Sequence, residues 1–275
     1  MRARFWAQRT PMTARPRDRA EPILSARGII NRFGRQEVHD RIGLDILPGE
    51  IVGIAGGSGS GKSVLLKTLT GLHRPNAGEV RVDGRKLDAI GPMEKASLIG
   101  VLFQQGALFS SLSVAQNIML PMREHTPLRE DQQERIAAMK LELAGMSAET
   151  GLKFPSQLSG GMVKRAALAR ALALDPRILF LDEPTSDLDP LTASGIDALI
   201  QKLNQSLGVT VVIVTHDPTT LFTICHRVAM LVDRKLTIDT LDKLMRSDQP
   251  WIREFLHGRR AQGAMTARKQ SHGNG

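Results

Sequence analysis

With 275 residues, 41% hydrophobic and 24% charged, the chain is long enough to bury a large core, and no apolar run in it approaches the roughly 20 residues that cross a bilayer. Its formal net charge of +9 belongs to the two ends: residues 1–20 hold six Arg against Asp18, and residues 258–275 hold Arg259, Arg260, Arg268 and Lys269. Residues 21–257 are therefore formally neutral, which argues against the fixed basic surface of a nucleic-acid binder.

The ends read as disordered tails, 1–20 and 259–275, either solvated or touching anionic lipid heads, with Met12 an alternative start to Met1. Residues 1–20 lack the apolar middle of a secretory signal, and the one cysteine, Cys225, has neither a disulfide partner nor metal-ligand spacing around it. Both features point to the cytosol, with Cys225 as a small buried apolar residue.

Between the tails, residues 22–47 alternate as two extended runs around a turn at Phe33-Gly34, and Pro48-Gly49 leads into a buried strand at 50–55 (EIVGIA). The loop GGSGSGKS follows, and then an apolar helix that Gly71 and Pro75 stop. Residues 79–83 (EVRVD) alternate as a half-exposed strand turned back at Gly84, and 99–103 (IGVLF) form another strand before Gln104-Gln105. Residues 114–122 and 129–145 have helical spacing, with Leu128, Ile136, Met139 and Leu143 as one stripe. Strands resume at 177–181 (RILFL) and 209–214 (VTVVIV) around a helix at 190–207; shorter strands follow at 227–232 and 235–238, then helices from Leu241 and from Trp251. Apolar runs alternating with helices predict an α/β fold with a parallel sheet covered on both faces, and no internal repeat is present.

Three stretches carry chemistry. Gly56, Gly57, Ser58, Gly59, Ser60, Gly61, Lys62 and Ser63 fit G-x-x-x-x-G-K-[ST] between a strand and a helix. Such a turn lets backbone N–H groups wrap a polyphosphate, with Lys62 reaching the outer phosphates and the Ser63 hydroxyl free to ligate magnesium. Residues 178–183 (ILFLDE) end a buried strand in two carboxylates: Asp182 to hold Mg2+ through water, Glu183 to orient or deprotonate an attacking water. Residues 158–162 (LSGGM) present the Ser159 hydroxyl and the bare backbone of Gly160 and Gly161 at a helix N-terminus, a second phosphate-binding nest.

Taken with that last motif, the sequence resembles the ATP-binding cassette (ABC) ATPases over residues 22 to about 240. The resemblance implies a P-loop NTPase (RecA-like) core with an antiparallel β subdomain and an inserted α-helical signature subdomain at about 105–170, within a nucleotide-binding domain spanning 21–240; a C-terminal helical extension covers 241–258. It implies ATP and Mg2+ as ligands, Gln104 on the magnesium or attacking water, His216 on the terminal phosphate, and Phe33 stacked on adenine. Ser159–Gly161 would bind the ATP of a second, identical cassette, and Asp189, among the nucleotide-site residues, would lie in the loop that contacts that cassette. Gly57 departs from a common Pro, and Met162 from the usual glutamine. With LFQQGALF, LPMREHTPL and IREFLHG, Met162 makes the sequence similar to one branch, the ATPases of Mla-type, MCE-associated lipid transporters, which include the toluene-tolerance cassettes.

That branch implies ATP hydrolysis on the cytoplasmic face of the inner membrane, peripheral to integral-membrane permease subunits and an MCE-type substrate-binding protein, moving phospholipid or another hydrophobic molecule. Trp251, Ile252, Phe255 and Leu256 form a small apolar face that can pack on the same cassette or on its copy. A transporter for small polar solutes is compatible with the same signature set. A soluble ABC ATPase acting on nucleic acid or ribosomes is disfavoured by the neutral core and by the presence of one cassette without long coiled coils.

Overall fold

The computed structural model describes residues 21–258, 261 and 263; the tails read at 1–20 and 259–275 otherwise lie outside the described residues. The chain starts with a hairpin of β1 (Leu24–Phe33) and β2 (Gln36–Ile46), turns into β3 (Ile51–Gly56), and continues through α1 (Lys62–Leu69), β4 (Ala77–Val82) and β5 (Arg85–Lys86). Then come α2 (Pro92–Leu98), β6 (Ile99–Leu102), α3 (Val114–His125), α4 (Glu130–Leu143), α5 (Gly160–Ala171), β7 (Ile178–Asp182), α6 (Pro190–Leu207) and β8 (Thr210–Val214). The remainder is α7 (Pro218–Ile224), β9 (Arg227–Val232), β10 (Lys235–Asp239), α8 (Leu241–Leu244) and α9 (Pro250–His257).

Two sheets organise these elements: an antiparallel one in the order β2-β1-β4-β5, and a larger one in the order β10-β9-β3-β8-β7-β6, parallel except for β10. The larger sheet's strands are apolar on both sides because both sides are covered. Ile51, Leu179, Leu181, Val211 and Ile213 face a core shared with α5–α9; Val52, Ile54, Phe180, Val212 and Val214 face α1 and the antiparallel sheet. At about 2–3 kcal/mol per buried large apolar side chain, these two layers supply the bulk of the stabilisation. Between the sheets, Arg227 forks onto Glu50 at 2.5 and 2.7 Å and also donates to the Asp45 carbonyl, fixing the start of β9 against the β2–β3 turn.

A third core joins α3, α4 and α5 through Val114, Ile118, Met122, Ala137, Leu141 and Ala166. Here the expected stripe is corrected. Leu128, Ile136 and Leu143 are half-buried against the cores as expected, but Met139 is 47% exposed, and the residues that α4 buries fully are Gln133, Ala137, Lys140 and Leu141, the Lys140 ammonium pairing with Asp175 at 2.5 Å. Two short helices, α2 and α7, lack a strong apolar period and carry no periodic helical signal in the sequence. Helix α9 buries Ile252 and Leu256 in its own chain's main core, with Trp251 and Phe255 stacked beside them at 5.0 Å, and Cys225 is buried there too. Burial raises the Cys225 thiol far above the usual range.

Candidate functional site

The phosphate loop is set by close backbone approach. All six residues of β3 are buried, and a Cβ on Gly56 would lie 2.5 Å from the Leu231 carbonyl of β9. Gly61 caps α1 with φ 99°, and a Cβ there would strike Val38 and His39 of β2. Only glycine meets both demands. Ser58, Gly59 and Ser63 are exposed, and the buried Ser60 hydroxyl has no hydrogen-bond partner. The Lys62 ammonium donates to the Gly56 and Gly57 carbonyls, each at 2.9 Å. Burial holds Lys62 below the usual lysine range, opposed by the charges of Glu183 and Asp182. The loop thus offers N–H groups, a positive helix end and a cation folded back on its own carbonyls, an arrangement that accepts an anionic phosphate.

Because β3, β7 and β8 are parallel, the residues that follow them emerge at one edge of the sheet. Asp182 closes β7 in register with Val214, and Glu183 extends the ladder by donating its N–H to the Val214 carbonyl at 2.9 Å. His216, just past β8, places Nδ1 2.8 Å from Glu183 Oε1; the imidazole is 62% exposed while the carboxylate is 10% exposed. A His that orients a carboxylate while presenting its other nitrogen to solvent is suited to positioning a water and a phosphate together. Asp182 is the complementary case. Its Oδ1 is buried with no partner, and burial, reinforced by Glu183, raises its pKa. An orphaned, desolvated carboxylate oxygen fits a divalent cation, which Asp182 would hold together with the Ser63 hydroxyl and substrate phosphates.

Not every expected residue joins this cluster. Gln104 is exposed, and only its backbone carbonyl is tied inward, to Lys164 of α5. Ser159 caps α5 through Met162 N–H, with Ser159 and Gly160 exposed, and no hydrogen bond among the described residues links this turn to the phosphate loop. Gly161 packs on Thr192 of α6, whose N-terminus is capped by Asp189 at 3.0–3.1 Å. Met162 turns toward the three-helix core. Phe33 is 48% exposed at the end of β1 and stacks on His73, with ring centroids 5.2 Å apart.

Sequence reading missed several residues here. Lys164 donates to Gln104, Glu183 and Ser186; its signal was a lone cation on the stripe Gly161, Lys164, Leu168, Ala171, which α5 buries throughout. His39, fully buried, accepts from Asn31 Nδ2 at 2.8 Å, and Asn31 also donates to Thr68 of α1 at 2.9 Å, so a polar chain braces the phosphate-loop helix from the antiparallel sheet. Trp251 of α9 lies alongside Gly57. Neither contact had a local sequence signal.

Comparison with known proteins identifies the family and the fold. Residues 39–186 match the model of the family described as "ABC transporter". The chain is 41% identical over 241 residues, 86% of its length and 69% of the relative's, to a probable ribonucleotide transport ATP-binding protein of Mycobacterium leprae. It is 38% identical over 240 residues, 86% of its length and 89% of the relative's, to the intermembrane phospholipid transport system ATP-binding protein of Escherichia coli K12, and 36% identical to that of Haemophilus influenzae, again over 86% of its length and 90% of the relative's. Among solved structures, a dimeric ATP-binding cassette in a post-hydrolysis state bound to ADP and Pi superposes with TM-score 0.72 at 32% identity, covering 79% of this chain and 98% of that one. A component of a Clostridium perfringens ABC transporter complex gives TM-score 0.72 at 28% identity, covering 90% and 99%.

Proposed function

This chain belongs to the ABC transporter family of ATP-binding subunits and is an ATPase, and on that premise we propose that two copies close around two ATP on the cytoplasmic face of the inner membrane to drive phospholipid transport. The permease subunits and an MCE-type substrate-binding protein would be separate chains. Among the described residues no helix is long and apolar enough to cross a membrane. The observation that carries the lipid assignment is the 36–38% identity, over nine-tenths of their length, to relatives named for intermembrane phospholipid transport. The 41% identical mycobacterial relative is named for ribonucleotide transport, which makes a nucleotide cargo the second reading.

In the proposed cycle Phe33 receives adenine, the loop from Gly56 to Ser63 wraps the phosphates, and Lys62 leaves its two carbonyls for the terminal ones. Glu183 orients and deprotonates the attacking water while His216 fixes that carboxylate and meets the terminal phosphate. A bound Mg2+ would neutralise charge developing on the phosphoryl oxygens. Ser159–Gly161 and Asp189 close on the nucleotide of the other copy. Only a difference in affinity between ATP and ADP for the closed pair can supply the coupling.

The test is to tag the Glu183→Gln chain, capture it from its own membranes in ATP and mild detergent, and identify what co-purifies. ATP is expected to stay bound while turnover falls at least about 100-fold, the scale for loss of a general base. A small multispanning permease, an MCE protein and phospholipid are the expected companions. A solute-binding protein in place of the MCE protein, with no lipid, would overturn the lipid assignment; wild-type turnover in the variant would overturn the role of Glu183.

A further inference from the structure

We propose that Lys164 is a positioning residue for hydrolysis: its ammonium ties the signature helix, the Gln104 loop and the backbone of Glu183 into one unit, so the carboxylate is aimed only while all three are docked. The inference rests on the reading of Glu183 as the base. Lys164 lies one turn inside α5 and is 6% exposed. An ammonium has three N–H donors and no acceptor. Here they meet the Gln104 carbonyl, the Glu183 carbonyl at 2.8 Å and the Ser186 hydroxyl at 3.2 Å, three groups from two separate loops. None is left over to contact a nucleotide.

The Glu183 carbonyl is a telling place to hold. Glu183 has φ 49°, in the left-handed region that a residue with a Cβ adopts at a cost. Its N–H is bonded to Val214 and its carbonyl to Lys164 and to the Ser186 hydroxyl at 2.9 Å, so the strained unit is pinned from both sides. The same helix also holds the segment after Gln104, where Arg170 donates to the Gly106 and Ala107 carbonyls at 2.8 and 2.6 Å. Helix α5 therefore begins at the Ser159–Gly161 turn and carries two cations that fix the neighbouring loops. Any shift of its N-terminus against a second copy reaches Glu183 through Lys164.

The test compares Lys164→Met, which keeps the apolar stem and loses the donors, with Lys164→Gln, which keeps two N–H donors, in the full chain captured with its membrane partners. Wild type and Glu183→Gln run beside them as a check on the base assignment. The expected result is a kcat about 100-fold lower in K164M, the scale of a 1 Å misplacement, with ATP KM and equilibrium ATP affinity within about twofold of wild type. K164Q should recover to within about tenfold of wild type. A K164M kcat within twofold of wild type, alongside an inactive E183Q, overturns the inference and leaves the base assignment intact. ATP binding lost in parallel with kcat in both K164M and K164Q overturns it as well, since that is the mark of a general structural role.

Discussion

Asp197→Asn should change the pH dependence of stability without touching the nucleotide site. Asp197 lies on α6, 5% exposed, with Oδ2 and Oδ1 at 3.0 and 3.2 Å from the Thr220 hydroxyl of α7. Burial pushes its pKa from 3.8 up to about 7; the Thr220 hydrogen bond opposes this and the charge of Asp217 adds to it. A folded pKa above the unfolded one means that between those pH values the native state binds a proton the unfolded chain has released. Stability therefore falls as pH rises from about 4 to about 7 and stays low above that range. About three units at 1.36 kcal/mol each give about 4 kcal/mol in total, of which roughly 2–3 kcal/mol lies between pH 5 and pH 8. Asn keeps the shape and the hydroxyl contact but cannot ionise. Urea unfolding of wild type and D197N at pH 5, 6.5 and 8 should show wild type losing roughly 2–3 kcal/mol relative to the variant, a large share of a typical domain's stability. Parallel pH profiles for the two proteins, or a wild type that gains on D197N at pH 8, would refute the reasoning.

Three further variants separate orientation from bulk. His216→Ala removes the 2.8 Å contact that orients Glu183, so kcat should fall about 100- to 1,000-fold, by more than the ATP affinity measured by equilibrium titration, which loses only the contact to the terminal phosphate. Lys140 is 2% exposed and Asp175 is 56% exposed in their 2.5 Å pair, so the two halves are not equivalent. Asp175→Asn removes the counter-charge of the buried Lys140 ammonium at a half-exposed site and should cost about 1–2 kcal/mol, whereas Lys140→Met, which removes the buried charge itself, should cost less, both read from denaturant midpoints.

What the sequence discloses and what it hides divide along a physical line. Strands such as 51–56 and 178–182 are legible because burial on both faces writes a continuous apolar run, and Gly56, Gly61, Lys62, Asp182 and Glu183 are legible because phosphate chemistry demands those residue types at fixed spacings next to such strands. Contacts between distant segments leave no such mark. The stacking of His73 on Phe33, the Asn31–His39–Thr68 chain and Trp251 beside Gly57 bring together residues up to about two hundred positions apart, and nothing local announces them. Helix α4 shows how tertiary contact overrides pattern: Met139 belongs to the apolar count but faces water, and Lys140 belongs to the charged count but is buried, because Asp175 is there to receive it.

Helix α5 carries the same logic into function. Apart from Leu168, its buried faces are made largely of Ala166, Ala167, Ala169 and Ala171, split between the main core and the three-helix core. A buried methyl contributes about 0.8 kcal/mol against roughly 2–3 for leucine, and a face of methyls interlocks weakly with its neighbours. Bulk packing alone would leave the helix free to slide between its two cores at modest cost. Its register is set instead by side chains that end on backbone carbonyls: Lys164 on Gln104 and Glu183, Arg165 on Ala144 at 3.0 Å, and Arg170 on Gly106 and Ala107. Charge-assisted bonds of this kind are directional, and each is lost within a displacement of about an ångström. A helix that is smooth in its packing and sharp in its polar anchors has few stable positions, which suits the proposed role of α5 in holding the Glu183 and Gln104 loops in one register.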